Sequence, residues 1–276
     1  VEYWAKDFMT ALQSKMEIKE EIQIPKIQNE LKQQLLQAFN EAKKKMIFLD
    51  YDGTLVDFNE KPDLAIPDAK LLQLIDALCA LPSTDVAIVS GRDQAFLDKW
   101  FASLPVTLVA EHGHYVKRKG GEWMGTASST KDWMADVMPI FETFTDRTPG
   151  TFVEEKHNSL VWHYRKTDPE LASGRVVEIK TVLSSLISDK LTILDMDKAL
   201  EVVDRQVNKG SAVFEINSQG AYDFTLCIGD DVTDENMFVS LPEHAYTIKV
   251  GRKPTSAKYY IENVSQVKKL LSSICL

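Results

Sequence analysis

Cysteine is scarce, with Cys79, Cys227 and Cys275 the only three in 276 residues. Their spacing fits no metal-binding pattern, and the odd number argues against a disulfide framework. Cys227 falls inside the apolar run 224–228, where a free thiol serves as a small hydrophobe. A reducing cytoplasm is the expected compartment. No run approaches the ~20 apolar residues that a spanning helix needs and no apolar leader opens the chain, so no membrane partner is expected. Positive charge is also short: 32 Lys and Arg stand against 41 Asp and Glu, a formal net charge of −9. A nucleic-acid partner held by a broad basic surface is not expected on that balance. There is no glycine-rich P-loop, which removes the kinase reading. Internal repeats and low-complexity tracts are absent as well.

What remains is a composition of 44% hydrophobic and 26% charged residues, ordinary for a soluble globular protein. The length allows one large domain or two small ones, each with a core. A first residue of Val rather than Met suggests a fragment or an excised domain.

Residues 1–45 are polar, with apolar positions at helical spacing: Trp4, Phe8 and Leu12, then Ile27, Leu31, Leu35, Ala38 and Ala42. They predict two amphipathic helices, the second opening near Pro25. From Met46 the pattern alternates. Strands are predicted over 46–49, 86–89, 107–110, 224–228 and 246–250. Helices are predicted over 67–80, 93–101, 209–216, 234–240 and 264–274. Apolar strands alternating with helices predict an α/β core whose parallel sheet is covered on both faces. The interval between them reads differently. Helices over 128–144 and 169–187 alternate with strand pairs over 151–156 and 159–165, then 191–194 and 199–204, the first pair turning at His157 and Asn158. The expected organisation is a helical segment 1–45, a core assembled from 46–125 and 206–276, and an inserted α+β module over 126–205.

In open α/β sheets ligands gather at the carboxyl ends of the strands. The residues that follow the predicted strands are Asp50 and Asp52, then Ser90, then Glu111, and finally Asp230, Asp231 and Asp234. So many carboxylates at one sheet edge repel one another unless a cation joins them. Oxygen ligands with positions left for water and phosphate suit Mg²⁺. Blander explanations exist. Asp-x-Asp-Gly also opens a calcium loop, but the later ligand positions of that loop are missing here. Asp234 could merely cap a helix, yet that leaves Asp230 and Asp231 without a reason. Lys209 by itself would read as a solvated lysine.

The motifs taken together resemble the haloacid dehalogenase phosphatases. Asp50-Tyr51-Asp52-Gly53-Thr54-Leu55-Val56 matches their first motif and Ser90, before Gly91-Arg92, the second. Lys209 in Val207-Asn208-Lys209-Gly210 matches the third, and Gly229-Asp230-Asp231-Val232-Thr233-Asp234-Glu235 the fourth. The resemblance implies a Rossmann-like parallel sheet core with an inserted α+β cap. It implies Asp50 as a nucleophile that forms an aspartyl-phosphate, and Asp52 as the acid and base. Ser90 and Lys209 would donate to the phosphoryl oxygens. Mg²⁺ would be held by Asp50, the main-chain carbonyl of Asp52 and Asp230, with Asp231 and Asp234 completing the metal site by orienting bound water or Lys209.

The substrate class can be narrowed. Glu111-His112-Gly113, Phe152-Val153-Glu154-Glu155-Lys156, His163-Tyr164-Arg165 and Leu200-Glu201-Val202 resemble the trehalose-6-phosphate phosphatase family over about 46–270. Gly53, Arg92, Glu111, His112, Gly113, Glu154, Lys156, His163 and Glu201 are then the expected substrate contacts. Period two puts Glu154 and Lys156 on one face of a strand and His163 on its hairpin neighbour. Trp4-Ala5-Lys6-Asp7-Phe8 resembles the tail of a preceding synthase domain, so a trehalose-phosphate synthase domain or subunit is a candidate partner. The alternatives are a phosphatase for sucrose phosphate or mannosylphosphoglycerate, and a silent sugar-phosphate-sensing domain of a synthase. Intact Asp50, Asp52, Lys209 and Asp230 weigh against the last.

Overall fold

A computed structural model describes residues 24–58, 64–125, 132–156, 159–186, 191–196, 198–204 and 208–276. The first expected helix, with Trp4, Phe8 and Leu12, lies outside the described residues. So do the turn at His157 and Asn158, and Val207.

Among the described residues the strands, in chain order, are β1 (Lys45–Asp50), β2 (Thr84–Val89), β3 (Thr107–Ala110), β4 (Tyr115–Lys117), β5 (Trp123–Gly125), β6 (Phe152–Glu155), β7 (Ser159–His163), β8 (Leu191–Met196), β9 (Ala199–Asp204), β10 (Phe224–Gly229), β11 (Tyr246–Val250) and β12 (Tyr259–Ile261). The helices are α1 (Asn29–Glu41), α2 (Ala69–Cys79), α3 (Gln94–Phe101), α4 (Asp132–Asp146), α5 (Pro169–Leu186), α6 (Lys209–Gly220), α7 (Val232–Ser240) and α8 (Val264–Ile274).

One sheet has the order β12-β11-β10-β1-β2-β3-β4-β5. Its pairs from β12 to β3 are parallel, and β3-β4-β5 close antiparallel. β1 is buried along its whole length and lies between β10 and β2. Ile47 and Leu49 pack with Leu71, Ile75, Val267 and Leu271 on one face. Met46 and Phe48 pack with Ala212, Val213 and Met237 on the other. That two-sided burial is why the strand reads as a continuous apolar run.

Several boundaries differ from the periodicity. Asp68 and Asp93 precede their helices as caps, accepting from the N–H groups of Leu71 and Phe96 at 2.7 Å each, so α2 and α3 start after them. Pro25 does not open α1. Tyr260 N–H donates to the Pro25 carbonyl at 3.1 Å and Ile27 N–H to that of Tyr260 at 2.9 Å, so this stretch runs beside β12. α1 begins four residues after Pro25 and buries Leu35 and Phe39, with Phe39 edge-on to Phe224.

The second sheet has the order β6-β7-β9-β8, all antiparallel. Leu160, Trp162, Leu200 and Val202 bury one face of it against α4 and α5 through Phe141, Ile179 and Leu183. The alternate positions, with Glu154, His163 and Glu201, form the other face. The molecule is thus an α/β core with an inserted α+β cap. No helix among the described residues is long and apolar enough to cross a membrane.

Candidate active site

β1 ends at Asp50 and β10 at Gly229, and the two strands are neighbours. Their following loops therefore meet. Gly53 has φ of +80°, and a Cβ there would lie 2.4 Å from the carboxylate carbon of Asp230. Only glycine permits that approach. Lys209 is the first residue of α6, whose end is fixed by Asn208 accepting from Ser211 N–H at 3.0 Å. Its Nζ sits 2.6 Å from Asp50 Oδ1 and 2.7 Å from Asp234 Oδ1, all three groups buried. Asp234 Oδ2 accepts the N–H groups of Asp230 and Asp231 at 2.8 and 2.9 Å. Asp234 is thereby committed to Lys209 and to the loop.

Asp50, Asp230 and Asp234 bring carboxylate oxygens within 4.8 Å of one another. Burial, then Asp234, pushes the Asp50 carboxyl well above the carboxylate range, against Lys209. Burial and Asp234 push Asp230 to about 7. Burial alone would lower Lys209, but Asp234 and Asp50 outweigh it and push it up. Asp50 Oδ2 and Asp230 Oδ1 are sealed from solvent with no hydrogen-bond partner. Orphaned buried carboxylate oxygens are costly, and one lysine cannot balance three carboxylates. An all-oxygen set with two orphaned atoms fits a hard divalent cation such as Mg²⁺.

Asp52 has a different setting. Arg92 grips it with both arms, Nε to Oδ2 at 2.8 Å and Nη2 to Oδ1 at 2.6 Å, while its guanidinium lies 4.6 Å over the Phe96 ring. Ser90 is buried; its Oγ accepts Arg92 N–H at 3.1 Å, which leaves the hydroxyl proton to donate. Ser90 and Arg92 carbonyls accept from His112 and Glu111 N–H at 3.0 and 2.9 Å. Glu111 and His112 both have left-handed backbones, φ +48° and +56°. Burial lowers the His112 imidazole to about 4, so it is neutral near pH 7, and its Nδ1 has no partner.

The expected cap residues do share a face. His163 Nε2 lies 2.7 Å from Glu154 Oε2, and its ring stacks on Phe152 with centroids 4.4 Å apart. Glu201, only 2% exposed, accepts from Lys156 Nζ at 3.1 Å and Ser159 Oγ at 2.6 Å. Burial would raise its carboxyl, but Lys156, His112 and Ser159 together hold it below the usual range.

A cavity of about 730 Å³ joins the two faces. Asp50, Asp52, Arg92, Glu111, His112, Lys209, Asp230 and Asp231 line it from the core, and Glu154, Lys156, His163 and Glu201 from the cap. The other expected residues, Gly53, Ser90, Gly113 and Asp234, are not among those lining it. Phe58 and Met196 also line it and were not expected; nothing in their spacing marks them. Lys249 was missed too. It is buried on β11 and donates to the Asp231 carbonyl and to Glu235, each at 2.9 Å.

A family model described as trehalose-phosphatase matches residues 48–265. The bifunctional trehalose-6-phosphate synthase/phosphatase of Thermoproteus tenax is 40% identical over 274 residues, covering 98% of this chain and 38% of that protein. The C-terminal domain of Candida albicans trehalose-6-phosphate phosphatase superimposes with a TM-score of 0.82 at 32% identity, over 93% of this chain and 99% of that one. A haloacid dehalogenase-like hydrolase from Bacteroides thetaiotaomicron, 12% identical, shares the fold with a TM-score of 0.64 over 84% of this chain and all of that one. The chain spans about a third of the length of the curated relatives it matches.

Proposed function

The chain belongs to the trehalose-phosphatase family and has the haloacid dehalogenase fold, and from there we propose that it hydrolyses trehalose 6-phosphate to trehalose and phosphate with Mg²⁺. One observation carries the reading. A buried carboxylate, Asp50, is tied through one oxygen to Lys209, keeps its other oxygen unpartnered, and lines a cavity whose opposite wall is a polar cap face.

Asp50, Asp230 and the main-chain carbonyl of Asp52 would hold the cation. When bound it supplies positive charge beside the nucleophile and the phosphoryl oxygens. Asp50 attacks phosphorus, forming an aspartyl-phosphate as the bond from phosphorus to the sugar oxygen breaks. Asp52 gives that oxygen its proton. It then takes a proton from the water that attacks phosphorus, releasing phosphate and restoring Asp50. Lys209 orients Asp50 and, with Ser90, donates to the transferring group. Arg92 fixes the Asp52 carboxylate. Asp231 and Asp234 would support the residues that hold the cation, Asp234 through Lys209 and the loop amides. The core over 46–125 and 206–276 performs the chemistry, and the cap over 126–205 selects the sugar. Glu111, His112, Gly113, Glu154, Lys156, His163 and Glu201 form the sugar-phosphate wall and its support. A synthase domain or subunit is the proposed partner, supported by the fused relative. Three free cysteines support a reducing cytoplasm.

The test is phosphate release from trehalose 6-phosphate, glucose 6-phosphate and sucrose 6-phosphate, with Mg²⁺ and after chelation. Preferential turnover of trehalose 6-phosphate is expected, abolished by chelation, restored by Mg²⁺, and lost in Asp50→Asn. Turnover that persists after exhaustive chelation refutes the metal site. A preference for another ester refutes the substrate.

A further inference from the structure

Lysine is among the residues least often buried, because stripping water from an ammonium costs several kcal/mol unless it is fully partnered. Lys249 is nevertheless only 2% exposed. In the parallel register of β10 and β11 it stands beside Gly229, the last residue before the Asp230–Asp231 loop. Its Nζ donates to the Asp231 carbonyl and to Glu235 Oε1, each at 2.9 Å. Glu235 is itself held. Thr255 Oγ1 lies 2.8 and 3.0 Å from its two carboxylate oxygens, and Ser256 N–H donates to Oε2 at 2.6 Å.

The opposite side of the loop is held by Asp234, whose Oδ2 takes the N–H of Asp230 and of Asp231. Asp231 is thus fixed at its N–H by Asp234 and at its carbonyl by Lys249. With both groups fixed, the Asp230 backbone has little freedom to rotate, and its carboxylate, with Oδ1 unpartnered, is kept aimed at Asp50. We propose that Lys249 is a positioning residue: with Glu235 it braces the Asp230–Asp231 loop from behind and holds the cation ligand Asp230 in its binding orientation. This rests on the cation reading of Asp50 and Asp230 above. Charge does not account for the arrangement, since an ammonium near a cation site repels the cation, and Glu235 at 2.9 Å cancels most of that field. What the pair leaves behind is orientation.

The experiment is calorimetric titration of MgCl₂ into the metal-free chain and into the Glu235→Gln/Lys249→Met variant. Removing both partners keeps the local charge balance, and replacing a buried pair by neutral groups is commonly tolerated. Loss of groups that orient ligands typically weakens a metal site by about 10–100-fold, and that is the expected loss of Mg²⁺ affinity here. The melting temperature of the metal-free variant should stay within a few degrees of the parent, and excess Mg²⁺ should restore its turnover. Equal Mg²⁺ affinity in parent and variant overturns the brace, as does a large loss of metal-free melting temperature with affinity unchanged. A parent that binds no Mg²⁺ overturns the cation reading instead. Should the double variant not fold, Thr255→Val loosens Glu235 without touching the ammonium. A several-fold weaker Mg²⁺ affinity is then expected, and an unchanged one refutes the brace.

Discussion

Asp50 and Asp52 stand two positions apart in one motif and meet opposite surroundings. Asp50 is buried and bound to an ammonium, while Asp52 is partly exposed and held in both arms of a guanidinium. The first setting suits a nucleophile that keeps one aim. The second suits a group that meets the leaving oxygen at the cavity wall. The division predicts a dependence on leaving group. Asp52→Asn removes the transferable proton but keeps the shape and an oxygen for Arg92. In single-turnover phosphorylation, the variant should lose about 10²–10⁴-fold on trehalose 6-phosphate, the usual worth of general acid catalysis. It should lose far less on an aryl phosphate, because a phenolate leaves without help. Equal losses on the two substrates count against the acid role. Dephosphorylation should slow for both.

At the scale of elements, the turn over Glu111–Gly113 links two motifs that lie far apart in sequence. Its amides bind the carbonyls of Ser90 and Arg92, and Gly113 packs on the start of α6. Gly113 has φ of +111°, and a Cβ there would sit 2.4 Å from the carbonyl oxygen of Asn208, the cap of the helix that begins with Lys209. Gly113→Ala should therefore strain the backbone by about 1–3 kcal/mol and push Lys209 off Asp50. A lower melting temperature together with a lower kcat is expected; a fall in melting temperature with kcat intact would show that the turn does not set Lys209. Sequence alone does not disclose this turn, because two successive left-handed non-glycine residues carry no periodic signal. The same holds for β4, β5 and β12, each three residues long and too short for alternation to register. The continuous run of β1 was legible because both its faces are buried, and the strand-end aspartates because topology gathers strand ends. Lys249 was not, since its neighbour Gly229 lies twenty positions away and only the β10–β11 register joins them.

At the scale of the whole molecule, core and cap face each other across the cavity, with Asp50, Asp52 and Asp230 on one wall and the polar cap face, to which the proposed function gives sugar selection, on the other. The cap groups are already paired with one another: Glu154 with His163, and Lys156 with Glu201. Under the proposed function a sugar would replace those pairs with its hydroxyls, so a ligand offering several at once would gain most. Glu154→Ala or Lys156→Ala should cut kcat/KM for trehalose 6-phosphate by ~10–10³-fold, about 1–4 kcal/mol, while a small aryl phosphate that does not reach the cap is hydrolysed almost normally. The two variants should differ in stability. Lys156→Ala strands the buried Glu201 with Ser159 as its remaining hydrogen-bond donor among the described contacts, so its melting temperature should fall. Glu154 is about half-exposed and its loss strands only a surface imidazole, so that variant should melt close to the parent. Loss of specificity in both with loss of stability in one assigns the face to sugar selection. If aryl phosphate turnover falls in parallel in both, the hairpin serves the fold. If neither substrate is affected, the face is merely solvated.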